Sequence, residues 1–243
     1  TDPKLGDLNT VENQTINANP WLRVALPYGL WIKTSFGANI VDQEQYQYWS
    51  AVYNPQGADY NGLGQQYNTK QSTLTWTNTL GWTWNINDLN DFDILLGQEM
   101  QRYDMHYSYL CGYDFPFANT GMRDLATAGA WMDSEYGKAQ SRLASYFLDA
   151  HYSYADRYYV SASYRRDGSS IFGANKRWGN FWSVGGKWRL SEEKFLKYNT
   201  AITNAALRIS YGTVGNQSLP SYYAARGYYA AGYNYNGTPG MVP

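Results

Sequence analysis

Residues 73–86, TLTWTNTLGWTWNI, decide the fold because their side chains alternate between two classes. The odd-numbered positions hold threonine, glycine or asparagine throughout. The even-numbered positions are apolar apart from one asparagine, and they read Leu74, Trp76, Asn78, Leu80, Trp82, Trp84 and Ile86. Successive side chains of a β-strand point to opposite faces, so this stretch predicts a strand with one apolar and one hydroxyl-bearing face. It is also longer than the strands of soluble sheets usually are.

The same alternation recurs along the chain. It is clear in four further segments, residues 142–154, 158–164, 178–190 and 205–213. It is weaker in two more, residues 28–40 and 92–108. No helical periodicity separates these segments. We therefore predict an all-β protein with about seven or eight amphipathic strands in an antiparallel up-and-down sheet.

The predicted connections alternate between short and long. Residues 85–91 and 154–157 form tight turns, whereas residues 49–70 and 108–138 form long connections rich in Gly, Tyr, Asn and Asp. Short turns at one end of the strands and long loops at the other are typical of transmembrane β-barrels, with the short turns in the periplasm.

Two other connections have patterns of their own. Residues 191–198, SEEKFLKY, predict a short helical turn on the periplasmic side, with Ser191 as its N-cap. Asp167 and Gly168 are turn-forming residues, and they predict a hairpin loop over about residues 167–176.

The composition is unusual in its aromatic residues. The 243 residues include 25 Tyr, 10 Trp and 8 Phe, while the formal net charge is -1. Aromatic side chains with a polar edge suit both sugar-binding clefts and the interfacial girdles of membrane proteins. The balanced charge argues against a nucleic-acid partner, and no apolar run is long enough for a transmembrane helix.

Residues suited to catalysis or to cofactor and metal binding are scarce. The chain has one Cys and two His, which share no ligand spacing. Gly168 and Gly173 have the spacing of a phosphate-binding loop, but the Lys and the Ser or Thr that should follow are absent. Two close carboxylate pairs fall at predicted turns, where they are expected to be solvated: Asp91 with Asp93, and Glu192 with Glu193. We therefore expect no enzymatic activity, no cofactor and no metal site.

Five phrases in residues 149–217 resemble a known family in their order and spacing. They are Y-x-D-R-Y, R-R-D-G-S-S-x-F-G, R-W-G-x-F-x-S-V, W-R-x-S-E-E-x-F and L-R-x-S-Y-G-x-x-G-N-Q. Each phrase is weak alone, but together they are highly specific for the SusC/RagA family of TonB-dependent outer-membrane transporters. Earlier pieces such as TNTLGW and FDILLGQEM are similar to preceding strands of the same barrel.

The resemblance implies a transmembrane barrel of about 22 strands with an N-terminal plug and a segment that contacts TonB. It also implies active import of a nutrient, an oligosaccharide or a peptide, across the bacterial outer membrane. The implied partners are a SusD-like surface lipoprotein that forms a lid, the TonB complex, outer-membrane lipid and the substrate. Residues 1–243 hold too few predicted strands to close such a barrel, so we expect them to form part of its wall, without the plug and the TonB box.

Two sets of residues follow as candidates for contact with lipid and with ligand. The first set lies on the apolar parity of the strands or flanks a periplasmic turn, and we expect it to face lipid as a girdle: Trp76, Trp82, Trp84, Tyr152, Tyr154, Tyr158, Trp178, Trp182 and Trp188. The second set combines aromatic and charged residues on a long extracellular loop: Tyr109, Tyr113, Asp114, Phe115, Phe117, Arg123, Asp124 and Trp131. These residues suit contact with substrate or with the lid, and equally suit packing within the loop.

Two other classes of protein remain open at this point. A soluble aromatic-rich carbohydrate-binding β domain would bury its tryptophans and present a polar surface. A small structural outer-membrane barrel of about eight strands would close on itself.

Overall fold

The computed structural model describes residues 6–116, 124–196, 202–216, 230–235 and 238–242. One antiparallel sheet holds nine strands: β1 (Leu8–Ala18), β2 (Trp21–Ala25), β3 (Leu30–Trp49), β4 (Leu63–Ile86), β5 (Asn90–Tyr113), β6 (Ala130–Tyr154), β7 (Tyr158–Ser169), β8 (Trp178–Arg189) and β9 (Ala206–Gly212). A second sheet pairs β10 (Ala230–Tyr235) with β11 (Thr238–Val242). The short helix α1 (Pro55–Asp59) lies between β3 and β4. In the described residues, no helix has the length and apolarity to cross a membrane. The all-β prediction is confirmed.

The order of the strands in the large sheet follows the chain. From β3 to β9 each strand pairs with the next, and β1 and β2 both pair with β3. Ala18 lies opposite Ala38 and Trp21 lies opposite Ser35, so β1 and β2 are two parts of one edge strand in one register. Pro20 separates them because it has no N–H to donate to the ladder. The nine strands therefore fill eight positions, where about seven or eight strands were predicted, and β1 and β9 stand at the two ends of the order.

The chain divides into two compact units. Unit 1 comprises Thr1–Asn19, Gly37–Leu74 and Arg102–Gln140. Unit 2 comprises Pro20–Phe36, Thr75–Gln101 and Ser141–Pro243. Strands β3 to β6 contribute residues to both units.

In unit 2 the strand pairing gathers the apolar side chains on one face. Even-numbered residues of β7 lie opposite even-numbered residues of β8, and these lie opposite odd-numbered residues of β9. The resulting apolar face consists of Tyr158, Val160, Tyr164, Trp182, Val184, Trp188, Leu207, Ile209 and Tyr211. The other face, the polar face, carries mainly serine, glycine, lysine and arginine, together with Asp167 and the aromatic residues Tyr159 and Phe181. All nine residues of the apolar face are exposed, which is opposite to what a soluble domain with buried tryptophans would show.

Two predicted tight turns have the geometry of type I′ hairpins. Asn87 and Asp88 have positive φ values of 57° and 52°, and Ala155 and Asp156 have 51° and 53°. Type I′ turns need positive φ at both central residues, and their twist matches that of the flanking strands. The two turns are neighbours, since the N–H of Ala155 donates to the carbonyl oxygen of Leu89 at 2.6 Å.

The predicted helical turn at residues 191–198 is confirmed in part. A 3₁₀ turn spans Leu190–Glu192, but Arg189 is its N-cap and Ser191 lies inside it. The prediction that Ser191 caps the turn is wrong because the turn begins one residue earlier. The N–H of Ser191 donates instead to Ala205 O at 3.1 Å, next to the pairing of β8 with β9. Residues 197 and 198 lie outside the described part of the chain.

Glu193, just after this turn, binds Tyr158, the first residue of β7, and Trp188, the last residue but one of β8. The Tyr158 hydroxyl donates to Glu193 Oε1 at 2.5 Å, and the Trp188 indole N–H donates to the same oxygen at 3.1 Å. Arg157 forms an ion pair with the other carboxylate oxygen at 3.4 Å. The Tyr158 hydrogen bond, then that of Trp188 and the charge of Arg157, hold the pKa of Glu193 below its ordinary value.

The two long connections are shorter than predicted. They span residues 50–62 and 114–129, because β4 begins at Leu63, β5 continues to Tyr113 and β6 begins at Ala130. These parts of the strands mix polar and apolar side chains on both faces, so the sequence shows no clear hydrophobic alternation there. Backbone pairing with the neighbouring strand continues regardless of side-chain polarity.

The predicted turn at Asp167 and Gly168 is wrong. Both residues belong to β7, where Asp167 lies opposite Gly179 and Gly168 lies opposite Trp178. The connection to β8 therefore starts at residue 170. Gly168 is needed for a different reason, since a Cβ there would lie 2.9 Å from the Trp178 ring.

Large rings on the sheet pack over glycines of adjacent strands. A Cβ at Gly81 would lie 2.1 Å from the Trp31 ring, and one at Gly97 would lie 2.0 Å from the Phe147 ring. No real side chain tolerates such distances, so these glycines leave the space that the rings fill. Aromatic rings over glycines are a known means of fixing strand register.

We predict that the contribution of Glu193 to stability depends on pH. Its lowered pKa means that this contribution is complete above the unfolded-state value of about 4.3 and is lost as the pH falls through the folded-state value. The melting temperature of the complete protein should therefore exceed that of Glu193→Gln at neutral pH, and the difference should vanish in strong acid. Tyr158→Phe, which removes the main donor, should reduce the difference. A difference that is the same at every pH would contradict this account.

Candidate functional site

The long connection at residues 114–129 packs against the strands of unit 1. Phe115 and Leu125 are buried together with Tyr48, and the Phe115 and Tyr48 rings meet edge to face with centroids 5.2 Å apart. Gly64 and Gly112 provide the space, since a Cβ at Gly64 would lie 2.9 Å from Phe115 and one at Gly112 would lie 2.8 Å from the Ala128 methyl group. This part of the loop is a small hydrophobic core.

Hydrogen bonds tie this connection to the one at residues 50–62. The N–H of Asp114 donates to Tyr60 O and the N–H of Phe115 donates to Asn61 O, both at 2.9 Å. The Asn61 side-chain amide donates in turn to Asp114 Oδ1 at 2.9 Å. Asp124 accepts from the N–H of Ala126 at 3.0 Å and so caps a 3₁₀ turn. The two acids therefore hold the loop in its fold.

The structure separates the predicted loop residues by their environment. Phe115 is 1% exposed, which assigns it to packing, whereas Trp131 is 55% exposed. Tyr113 packs edge to face on Tyr60 with centroids 5.9 Å apart. Phe117 and Arg123 lie outside the described residues. Contact of the remaining residues with a substrate or a lid stays a prediction.

Unit 1 contains a stripe of tyrosines, of which the sequence prediction named Tyr109 and missed Tyr67 and Tyr107. The rings of Tyr67 and Tyr109 stack with centroids 4.6 Å apart, and the Tyr67 hydroxyl donates to Gln65 Oε1 at 3.2 Å. The Tyr107 hydroxyl donates to Glu135 Oε1 at 2.6 Å. The signal was present, because residues 103–113 place tyrosine at four of six odd-numbered positions. It was not used because the prediction divided these residues between a strand at 92–108 and a loop at 108–138.

The polar face of unit 2 contains an open depression of about 540 Å³. Both acidic and basic residues line it, among them Asp91, Asp93, His151, Lys187 and Arg208. The two aspartates belong to β5 rather than to a turn as predicted. The Asn85 side-chain amide donates to Asp91 at 2.5 Å, and the Thr83 hydroxyl donates to Asp93 at 2.8 Å. Within the described residues no group of three or more His, Cys, Asp or Glu side chains is arranged to hold a metal ion.

Arg165 connects four strands in unit 2. Its guanidinium donates to Asp167 at 2.7 Å, to the buried Ser145 hydroxyl at 2.9 Å and to Glu99 at 3.3 Å. Glu99 also accepts from the Thr77 hydroxyl at 3.3 Å. With every charged group partnered, the network stabilises the sheet and leaves no free acid for chemistry.

The predicted girdle residues all lie on the even-numbered parity of their strands. Trp76 donates to the Thr34 hydroxyl at 3.1 Å, and Trp82 donates to Tyr28 O at 3.0 Å while stacking on Trp84. Seven of the nine are exposed and two are half-buried: Trp76, Trp84, Tyr154, Tyr158, Trp178, Trp182 and Trp188, and then Trp82 and Tyr152. Their contact with lipid stays a prediction.

The chain is similar over most of its length to known receptors. It is 30% identical over 234 residues to TonB-dependent receptor P39 of Formosa agariphila, which covers 92% of this chain and 21% of that protein. It is 32% identical over 136 residues to TonB-dependent receptor SusC of Bacteroides thetaiotaomicron, covering 56% of this chain and 13% of that protein. The chain thus spans about a fifth or less of these relatives. They are receptors rather than enzymes. No protein-family model matches the chain.

The fold is that of a solved transporter. The RagAB peptide transporter superimposes with a TM-score of 0.83 at 21% identity, and the match covers 97% of this chain and 26% of that one. At this identity the likeness concerns the fold. The chain spans about a quarter of that structure.

We predict different effects for the two aromatic residues Phe115 and Trp131. Phe115→Ala removes a buried ring, for which the usual loss is about 3–5 kcal/mol, so the connection at residues 114–129 should open more often and be cut faster by protease. Trp131→Ala, at an exposed position, should leave the rate of proteolysis unchanged. Equal rates for Phe115→Ala and the unaltered protein would contradict the packing role.

Proposed function

We propose that this chain, a portion of a SusC/RagA-like TonB-dependent transporter, forms part of a barrel wall through which a nutrient is imported across the bacterial outer membrane. The nutrient is an oligosaccharide or a peptide. Energy comes from the inner membrane through TonB, and the chain itself catalyses no covalent change.

The exposed apolar face of unit 2 is the observation that carries the proposal. Val184 lies between Ala162 on β7 and Tyr211 on β9, and aromatic residues stand at both ends of the same strands. Exposing such an apolar face to water is unfavourable, whereas contact with the hydrocarbon core of a bilayer is favourable. Trp178 and Trp188 lie ten residues apart on β8, a spacing that suits two interfacial belts on one spanning strand.

The polar faces fit a lining for a passage. In unit 2 this side carries hydroxyl, carboxylate and basic groups that are hydrogen-bonded along the strands, as the lumen side of a barrel strand requires. The short turns fit the periplasmic side, and the connections at residues 50–62 and 114–129 fit the extracellular side. There they would contact a SusD-like lipoprotein that closes over the bound nutrient.

We predict opposite tolerance for a charge at two adjacent positions of β8. Val184→Arg puts a guanidinium on the apolar face, and near the bilayer midplane this costs about 2–4 kcal/mol. Ser183→Arg is the matched control on the polar face and should cost much less. Urea unfolding of the complete transporter in phospholipid vesicles measures both. Equal destabilisation by the two variants would mean that this face does not meet lipid.

We also predict that import by the complete transporter requires TonB. Cells that produce the transporter and its lipoprotein should take up the nutrient, and deletion of TonB should abolish uptake while surface binding persists. Growth on a nutrient that needs no transporter provides the control. Undiminished uptake without TonB would refute active import.

A further inference from the structure

The basic residues in the strands of unit 1 all lie on one side of the sheet. Even-numbered positions carry every Lys and Arg of these strand segments and four of their six carboxylates. Asp42 pairs with Lys70 at 3.5 Å, and Arg102 pairs with Asp104 at 2.5 Å. Glu44 accepts from the Gln66 amide at 2.8 Å on the same side. We call this side the charged face of unit 1.

The opposite side, which we call the cation-free face of unit 1, consists of the odd-numbered positions of the same strands. Asparagine, glutamine, threonine and tyrosine predominate there, and no Lys or Arg occupies an odd-numbered position of these strand segments. The carboxylates on this side are Asp133 and Glu135, both on β6, and Glu135 is engaged by the Tyr107 hydroxyl at 2.6 Å.

Amide side chains lie in adjacent rows on this face. Gln45 lies opposite Val11 and Gln47 lies opposite Asn9 in the β1–β3 register, and the Gln45 amide donates to Asn9 Oδ1 at 3.5 Å. Gln65 accepts from the Tyr67 hydroxyl, so its orientation is set before any ligand arrives. A side-chain amide both donates and accepts, which suits a ligand whose own groups do the same. Hydroxyl groups have that property.

Aromatic surface stands beside the amides. Tyr67 stacks on Tyr109 and is still 39% exposed, and Trp131 is 55% exposed. The faces of aromatic rings carry partial negative charge, and they attract the C–H bonds on the flat side of a sugar ring. Two stacked tyrosines hold each other in place, which lowers the entropy that a ligand must otherwise offset on binding.

Neither an anionic glycan nor an extended peptide suits this surface. An anionic glycan needs cations to replace its hydration, and the odd-numbered strand positions of unit 1 supply none. An extended peptide satisfies its backbone amides at the edge of a sheet rather than on its face, and its termini and side chains carry charge. An uncharged oligosaccharide has neither requirement.

We propose that the cation-free face of unit 1 is a binding subsite for an uncharged oligosaccharide. Tyr67 and Tyr109 form its stacking platform, and Gln45, Gln47 and Gln65 hydrogen-bond the sugar hydroxyls. The subsite rests on the proposed import function and names the class of nutrient. It differs from the class named for the RagAB peptide transporter.

Binding by the purified complete transporter with its lipoprotein tests the proposal. The probes are arrays of neutral oligosaccharides, of uronic-acid and sulfated oligosaccharides, and of peptides. The strongest signals should come from neutral oligosaccharides. Strongest signals from charged glycans or peptides, or the absence of any neutral ligand, would overturn the subsite.

Variants then locate the binding, with calorimetry on the strongest neutral oligosaccharide. Tyr67→Ala together with Tyr109→Ala should weaken affinity about tenfold or more, as loss of an aromatic anchor does. Tyr136→Ala is the matched control, because this tyrosine is on β6 at an even-numbered position and is 64% exposed; it should bind as the unaltered protein does. Gln45→Glu, a conservative change at an accessible amide, gives a second readout if the double variant does not assemble, and it too should weaken binding. Unchanged affinity in the assembled variants would overturn the subsite.

Uptake measurements separate this proposal from the import function. Uptake that requires TonB but carries a peptide or a charged glycan overturns the subsite and leaves import intact. If uptake of the neutral oligosaccharide requires TonB and is lost when Tyr67 and Tyr109 are replaced, the import function and the subsite are both supported.

Discussion

A ladder of backbone hydrogen bonds in constant register determines the face on which each side chain lies, and the rest of the structure depends on it. The β6–β7 register runs from Tyr154 opposite Tyr158 to Leu143 opposite Ser169 without a shift. A slip by one residue would exchange the faces, bringing the serines of β7 to the apolar side. Rings seated over glycines, such as Phe147 over Gly97, oppose that slip because no other residue offers the space.

The sequence was most informative where the two faces of a strand differ in hydrophobicity. Residues 73–86 and 178–190 met that condition, so their strands, their parity and the tight turns between strands were predicted correctly. The edge strand β1 and the parts of β4 and β6 in unit 1 were missed, since both of their faces are polar and hydrophobic periodicity is absent there. Pairing with neighbours forms these strands, and a single sequence does not reveal which segments pair.

The candidate site was predictable by region but not by residue. Composition identified an aromatic, charged segment, yet Phe115 and Trp131 look alike in sequence and differ entirely in exposure. Burial of Phe115 depends on Tyr48, which is distant in sequence, and on Leu125, which lies near the other end of the same connection. Tyr67 and Tyr109 become neighbours only through the pairing of β4 with β5. Contacts of this kind are properties of the sheet, not of any segment.

Period-two alternation separates different properties in the two units, and this difference bears on function. In unit 2 it separates apolar from polar side chains, which solvation alone explains if one face meets hydrocarbon. In unit 1 both faces are polar, so solubility would be served equally well by charges on either side. Lys and Arg nevertheless occupy only even-numbered strand positions there. Solvation gives no reason for this asymmetry, whereas a ligand that lacks negative charge and meets only the odd-numbered positions does.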